Sequence, residues 1–68
     1  MGFYSVTCFC NGKWDGNAPI RIQADGPREA AELICGGPLR SLGRPERLCA
    51  EVSPEDVPAQ RLDFYSRD

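Results

Sequence analysis

The chain has 68 residues, 8 lysines or arginines against 10 aspartates or glutamates, no histidine and a formal net charge of −2. That balance speaks against a dedicated nucleic-acid binder, which presents a basic face. The missing histidine removes the commonest general base and nucleophile activator, so no enzymatic activity is expected.

A single domain spanning residues 1–68 is expected. A core of this size is worth only ~3–5 kcal/mol, so a homodimer or a stable partner is a natural expectation. The charge is uneven: Glu51, Glu55, Asp56, Asp63 and Asp68 face only Arg61 and Arg67 near the C-terminus, whereas the preceding loop sets Arg40, Arg44 and Arg47 against Glu46.

The opening segment, Phe3 to Cys10, is rich in β-branched and aromatic residues and predicts a strand. Tyr4, Val6, Cys8 and Cys10 share one face; Phe3, Ser5, Thr7 and Phe9 share the other. Asn11 and Gly12 are a hairpin signal, and Asp15, Gly16 and Asn17 are a second turn signal. The sequence leaves open whether the chain turns once tightly or in a longer loop over 11–19. A second strand follows over 20–24, with Ile20, Ile22 and Ala24 on the buried side and Arg21 and Gln23 opposite.

Gly26 suits a helix N-cap, Pro27 the first helical position, and Glu29 is placed to reach back to the Gly26 N–H. Ala30, Leu33 and Ile34 form one apolar stripe. Gly36, Gly37 and Pro38 stop the helix after about nine residues, too few to hold alone in water. Residues 38–46 read as a loop anchored by Leu39 and Leu42. A third strand is expected from the alternation of Leu48, Ala50 and Val52, a polar turn over 53–58, and a fourth strand around Leu62 and Phe64. No internal repeat or low-complexity segment stands out.

These elements predict an α+β fold in two layers: a mainly antiparallel four-stranded sheet with one short helix on one face, in the order β-β-α-β-β. The expected core is Val6, Ile20, Ile22, Ala30, Leu33, Ile34, Leu48, Ala50, Val52, Leu62 and Phe64, with Tyr4, Cys8 and Cys35 at its margins. No run approaches the ~18 apolar residues a membrane span needs. The N-terminus has no basic or long apolar leader segment. A cytoplasmic location follows as the expectation, with cysteines kept as thiols and no membrane association.

The cysteines are spaced poorly for structural zinc, which uses paired ligands two to four residues apart. Cys8 and Cys10 are separated by one residue, Cys35 and Cys49 stand singly, and Cys49 is expected on the face opposite Leu48 and Ala50. Cysteine as a small core hydrophobe is the simpler reading. No metal site and no cofactor are expected. Glu29, Glu32, Glu55 and Asp56 read as caps or a solvated face. Gly36 and Gly37 follow a helix, where a phosphate cradle precedes one.

The sheet face away from the helix is expected to carry Phe3, Phe9 and Tyr65 with Arg21, Gln23, Arg47 and Glu51, and Trp14 at its edge. Aromatics mixed with arginine are the composition of interface hot spots. Phe9, Arg21, Arg47 and Tyr65 are therefore the predicted partner contacts. The same face could stack bases, as on a four-stranded RNA-binding sheet, with Arg40, Arg44 and Arg47 near phosphates.

In layout, the run of Phe3–Cys10, Ile20–Ala24, Glu29 to Leu33 and Leu48–Val52 resembles small phage-encoded inhibitor proteins of the anti-CRISPR type. That resemblance implies a single β/α domain without catalytic residues, blocking a large complex by surface contact. A similar strand-strand-helix-strand order occurs in some small ribosomal proteins, which are strongly basic where this chain is not. The resulting expectation is a non-enzymatic module that binds a larger protein or ribonucleoprotein as an inhibitor or adaptor. The alternative is a small nucleic-acid-binding domain using the same face, and the third reading is a cysteine-metal structural module.

Overall fold

The computed structural model describes residues 2–66. The chain is a small α+β fold: one helix lies against a sheet of six strands, all of whose pairings are antiparallel. In chain order these are β1 (Gly2–Cys10), β2 (Lys13–Trp14), β3 (Ile20–Ala24), α1 (Pro27–Cys35), β4 (Leu39–Arg40), β5 (Leu48–Pro54) and β6 (Leu62–Ser66). The sheet runs β2-β1-β5-β6-β4, and β3 also pairs with β1. The expected four long strands are present. The expectation of four in all is corrected by two two-residue strands at the edges. Both escape detection for one reason: two residues show no alternation, so only pairing reveals them.

The first hairpin resolves the question about residues 11–19. Asn11 (φ 53°) and Gly12 (φ 81°) form a tight two-residue turn with both positions left-handed, the geometry that matches strand twist. It pairs Cys10 with Lys13 and Phe9 with Trp14. Residues 15–19 then bow outwards, and β3 resumes along the same edge of β1, pairing Ile20 with Val6.

The helix begins and ends as its sequence dictates. Gly26 is the N-cap, Pro27 opens the helix, and Gly36 closes it by donating its N–H to the Glu32 carbonyl at 2.8 Å. Glu29 does reach back, but to the N–H of Asp25 (2.6 Å), one residue before the expected one. Glu32 accepts the Leu39 N–H at 2.9 Å, pinning the start of β4 to the helix, and lies 3.9 Å from Arg28.

The core consists of Val6, Ala24, Ala30, Ala31, Leu39, Ala50, Val52 and Phe64, with Tyr4, Ile22, Ile34, Cys35 and Cys49 packed around it. Several core expectations are corrected. Leu33 is 59% exposed: the buried stripe runs through Ala30, Ala31, Ile34 and Cys35, because the two alanines let the helix lie close to the sheet. Ile20 lies on β3, which pairs only with β1, and Leu62 stands where β6 begins; both are exposed. Leu42 is 81% exposed and anchors nothing, whereas Leu39 is buried.

The most consequential departure is in β5. Leu48 pairs with Tyr65 and Ala50 with Phe64, so Cys49 is an extra residue in a β-bulge. Phe64 and Tyr65 point to opposite faces, so Leu48 faces away from the helix and Ala50 towards it. Cys49 turns in to pack against the core, contrary to its expected position.

Candidate functional site

Residues opposed in an antiparallel pair share a face, so the registers give the composition of the open face. It carries Phe3, Ser5, Thr7 and Phe9 from β1, Trp14 from β2, Arg21 and Gln23 from β3, Arg40 from β4, Leu48, Glu51 and Ser53 from β5, and Asp63 and Tyr65 from β6. Its apolar side chains collect at two ends. Phe3 and Phe9, six residues apart on one strand, are separated by ~20 Å.

At the first end, Arg21 lies flat on the Phe3 ring, its guanidinium carbon 3.9 Å from the centroid. Glu55 holds it there. The Arg21 Nε donates to one carboxylate oxygen and Nη2 to the other, at 3.0 Å. Glu55 is itself placed by its backbone N–H, which donates to the Phe3 carbonyl at 3.0 Å. The bidentate contact with Arg21 holds the Glu55 carboxyl below its ordinary range, and the same contact raises Arg21 further. Cation, ring and carboxylate are mutually paired, so the charges at this end offset each other.

At the second end a row crosses the sheet: Trp14, Phe9, Leu48, Tyr65 and Arg40, on β2, β1, β5, β6 and β4 in turn. The registers join Trp14 to Phe9 and Tyr65 to both Leu48 and Arg40. Phe9 and Leu48 line one small cavity of about 70 Å³, which also touches Arg47. Trp14 is 61% exposed, and its indole is tied into a chain of hydrogen bonds. The indole N–H donates to the Asn17 carbonyl (3.0 Å), the Asn17 N–H donates to the Asp15 carboxylate (2.9 Å), and the Asp15 N–H donates to the Cys8 carbonyl (3.3 Å). The aspartate-glycine-asparagine turn thus orients a large exposed aromatic ring.

The segment over residues 41–47 covers the far part of this end. Gly43 rests against the Tyr65 ring so closely that a Cβ there would come within 2.7 Å of the Tyr65 side chain. A single 3₁₀ turn, Pro45–Arg47, abuts the first hairpin at Gly12. Between segment and hairpin lies a cleft of about 600 Å³ lined by Arg40, Arg44 and Arg47, with Glu46, Asn11 and Ser66 among its other walls. Arg44 lies 3.9 Å from Glu46. Among the described residues, the charged groups on its walls are Arg40, Arg44, Arg47 and Glu46.

Of the four predicted contacts, Phe9, Arg47 and Tyr65 converge at the second end, and Arg21 belongs to the first. Arg47 was expected on the sheet face; it sits on the 3₁₀ turn beside it. Tyr65 is on the face but is half covered by Gly43. Trp14 lies at the edge of the face, as expected, on β2; Leu48, expected in the core, stands on the face, and Arg40 and Arg44 line the cleft beside it. A signal for Trp14 was present: a two-residue turn at Asn11 and Gly12 forces Trp14 opposite Phe9. Nothing in the sequence announced the bulge that brings Leu48 across.

On the helix side, three thiols meet. Cys35, the last residue of α1, contacts the thiols of both Cys8 and Cys49, and its Sγ lies 3.8 Å from the Cys49 carbonyl oxygen. Burial pushes the Cys35 thiol up to about 12, and Cys49 and then Cys8 add to the effect. Cys8 is raised as well, mainly by burial and next by the Asp15 charge. Both shifts run against thiolate formation, the opposite of what activates a nucleophilic cysteine. Cys10 is exposed. Among the described residues, no group of three or more cysteine, aspartate or glutamate side chains is disposed to hold a metal ion, and no helix is long and apolar enough to cross a membrane.

Comparison with known protein families, with curated proteins and with solved structures finds no match.

Proposed function

We propose that this chain is a non-enzymatic binding module, an inhibitor or adaptor that occupies a surface of a larger protein or ribonucleoprotein. It docks through the second end of its open sheet face. The observation that carries this reading is Trp14: a large, exposed aromatic ring held in one orientation by its indole hydrogen bond, in line with Phe9, Leu48 and Tyr65. An exposed aromatic anchor that is already ordered loses little entropy on binding, which is what makes tryptophan and tyrosine hot-spot residues. The paired Phe3, Arg21 and Glu55 group at the other end lies within the span of a standard interface, about 800 Å² per partner.

The test places a photo-crosslinking amino acid at position 14 and, separately, at position 28 on α1, in cells of the source organism. Crosslinks formed from position 14, and lost when Arg44 is changed to Glu, are expected. Equal crosslinking from both positions would overturn the assignment.

The second reading, a nucleic-acid-binding domain on the same face, draws on the placement of Arg40, Arg44 and Arg47 beside the aromatic row. It requires binding of single-stranded RNA or DNA that weakens steeply with salt. Titrations without binding at low salt would remove it.

A further inference from the structure

We propose that Cys35 and Cys49 form a thiol–disulfide switch: oxidised by a peroxide, they bond to each other and clamp the segment between them, residues 36–48, at both ends. The bond forms whatever the open face docks against.

Cys35 is the last residue of α1, and its Sγ lies 3.8 Å from the Cys49 carbonyl oxygen. It contacts the thiols of Cys49 and Cys8, and Cys49 perturbs it more than Cys8 does. Joining two touching thiols needs a small backbone shift, because a disulfide brings its sulfurs well inside contact distance. Cys35 and Cys49 sit where the backbone can give. Cys35 is followed by Gly36, which is already left-handed, and by Gly37. Cys49 is the extra residue of the bulge, outside the ladder that pairs Leu48 with Tyr65 and Ala50 with Phe64. Cys8, by contrast, is held within the β1 ladder, opposite Ala50. The bond therefore goes to Cys49.

The clamped segment holds β4, Gly43 against the Tyr65 ring, and the 3₁₀ turn Pro45–Arg47. In the thiol form its start is tied by the hydrogen bond from the Leu39 N–H to Glu32. The two cysteines lie fourteen positions apart, a loop long enough for a cross-link to remove much of the freedom of the unfolded chain.

Burial holds the Cys35 proton in place, so Cys49 reacts first. Its thiolate sulfur attacks one oxygen of hydrogen peroxide, the O–O bond breaks, and the departing hydroxide leaves as water. Cys49 is then a sulfenic acid. The Cys35 sulfur attacks that sulfur, the S–O bond breaks, and the second hydroxide takes the Cys35 proton and leaves as water. Each sulfur gives up one electron and the two peroxide oxygens take them.

The test uses the full chain with Cys10→Ser, which removes the exposed thiol that would link two molecules. It is treated with a slight excess of hydrogen peroxide at mildly alkaline pH and digested with trypsin. Cleavage after Lys13, Arg28, Arg40, Arg47 and Arg61 puts Cys8, Cys35 and Cys49 in three separate peptides. The expected product is peptide 29–40 joined to peptide 48–61, lighter by two hydrogens and released by dithiothreitol. The oxidised chain should melt about 10 °C or more above the reduced one. Amide exchange across residues 39–48 should slow about tenfold or more. Adding Cys8→Ser should retain all three changes, and adding Cys49→Ser should abolish them. The linkage map needs no substitution in the cluster, so it decides the matter even where a variant fails to fold. Recovery of peptides 29–40 and 48–61 unlinked, or peptide 29–40 joined mainly to peptide 1–13, would overturn the proposal. The expected bond with unchanged exchange across 39–48 would overturn the clamp.

Discussion

Gly12 and Gly16 make a matched pair for testing how the hairpin tip is held. Both have left-handed backbone, with φ of 81° and 88°, so replacing either by alanine introduces the same local strain, ~1–2 kcal/mol. Their surroundings differ. A Cβ on Gly16 meets nothing within 4 Å, whereas one on Gly12 falls 2.4 Å from the Pro45 carbonyl oxygen and 2.9 Å from the Glu46 Cα. Those are backbone atoms, so no rotamer change clears them, and the hairpin must separate from the 3₁₀ turn. Overpacking of this kind adds ~1–3 kcal/mol. Gly16→Ala is therefore expected to destabilise by ~1–2 kcal/mol and Gly12→Ala by ~2–5 kcal/mol, out of a total of ~3–5 kcal/mol for so small a core. In urea, with a slope of ~1 kcal/mol/M for a short chain, the two midpoints should differ by ~1–3 M. Midpoints that coincide to within ~0.5 M, ~0.5 kcal/mol at that slope, would refute the packing of hairpin on turn, and with it the closed end of the arginine cleft.

The remaining predictions concern core, thiols and face. Phe64→Ala should remove ~3–5 kcal/mol and leave the chain largely unfolded by circular dichroism, while Leu33→Ala should change the melting midpoint little, since Leu33 is exposed. Iodoacetamide at mildly alkaline pH should label Cys10 first and Cys35 last, read by peptide mass spectrometry; labelling of Cys35 first would contradict its burial. Because the folded Cys35 thiol titrates at about 12, above its value in the unfolded chain, the folded state keeps a proton that the unfolded state loses. Stability should therefore be flat below about pH 9 and decline as pH rises from there towards 12, a decline that Cys35→Ala should reduce. Glu55 has the opposite sign: its carboxyl is held low by Arg21, so its contribution is present above the ordinary carboxylate range and lost as pH falls through the folded value. The Arg21 Nε–H resonance should shift in that acid window and not in Glu55→Gln.

Much of the fold could be read from local chemistry, because the relevant signals are local. Asn11 and Gly12 signal a turn, Pro27 and Gly36 bracket the helix, and Val6, Ala50 and Val52 are buried where alternation places them. The failures lie where tertiary packing decides. Leu33 is more apolar than Ala31, so ranking by hydrophobicity puts it inside; the helix instead approaches on its alanine side, because a thin sheet layer filled by Val6, Val52 and Ala50 leaves room for small side chains and close contact. Ile20 alternates correctly and still stands exposed, since β3 has a neighbour on one side only. The candidate site was legible in kind, aromatics with arginine, but not in grouping. Arg21 and Phe9 sit on the same face, and only register tells that they belong to different ends.

The bulge at Cys49 links these two outcomes. In an unbroken β5, Leu48 and Ala50 would both face the helix and Cys49 would face outwards, as alternation predicts. One extra residue exchanges them. Leu48 moves to the open face beside Tyr65, where it and Phe9 line one small cavity. Cys49 moves inwards, where a small thiol fits beside Cys35 and Cys8 and a leucine would crowd the end of α1. The bulge sits at the start of β5, directly after the 3₁₀ turn that carries Arg47, and bulges increase local twist. The same irregularity that defeats a period-two reading therefore supplies the middle of the aromatic row and stands at the base of the arginine cleft. A regular strand would have given the chain a larger apolar core and left no leucine on the open face.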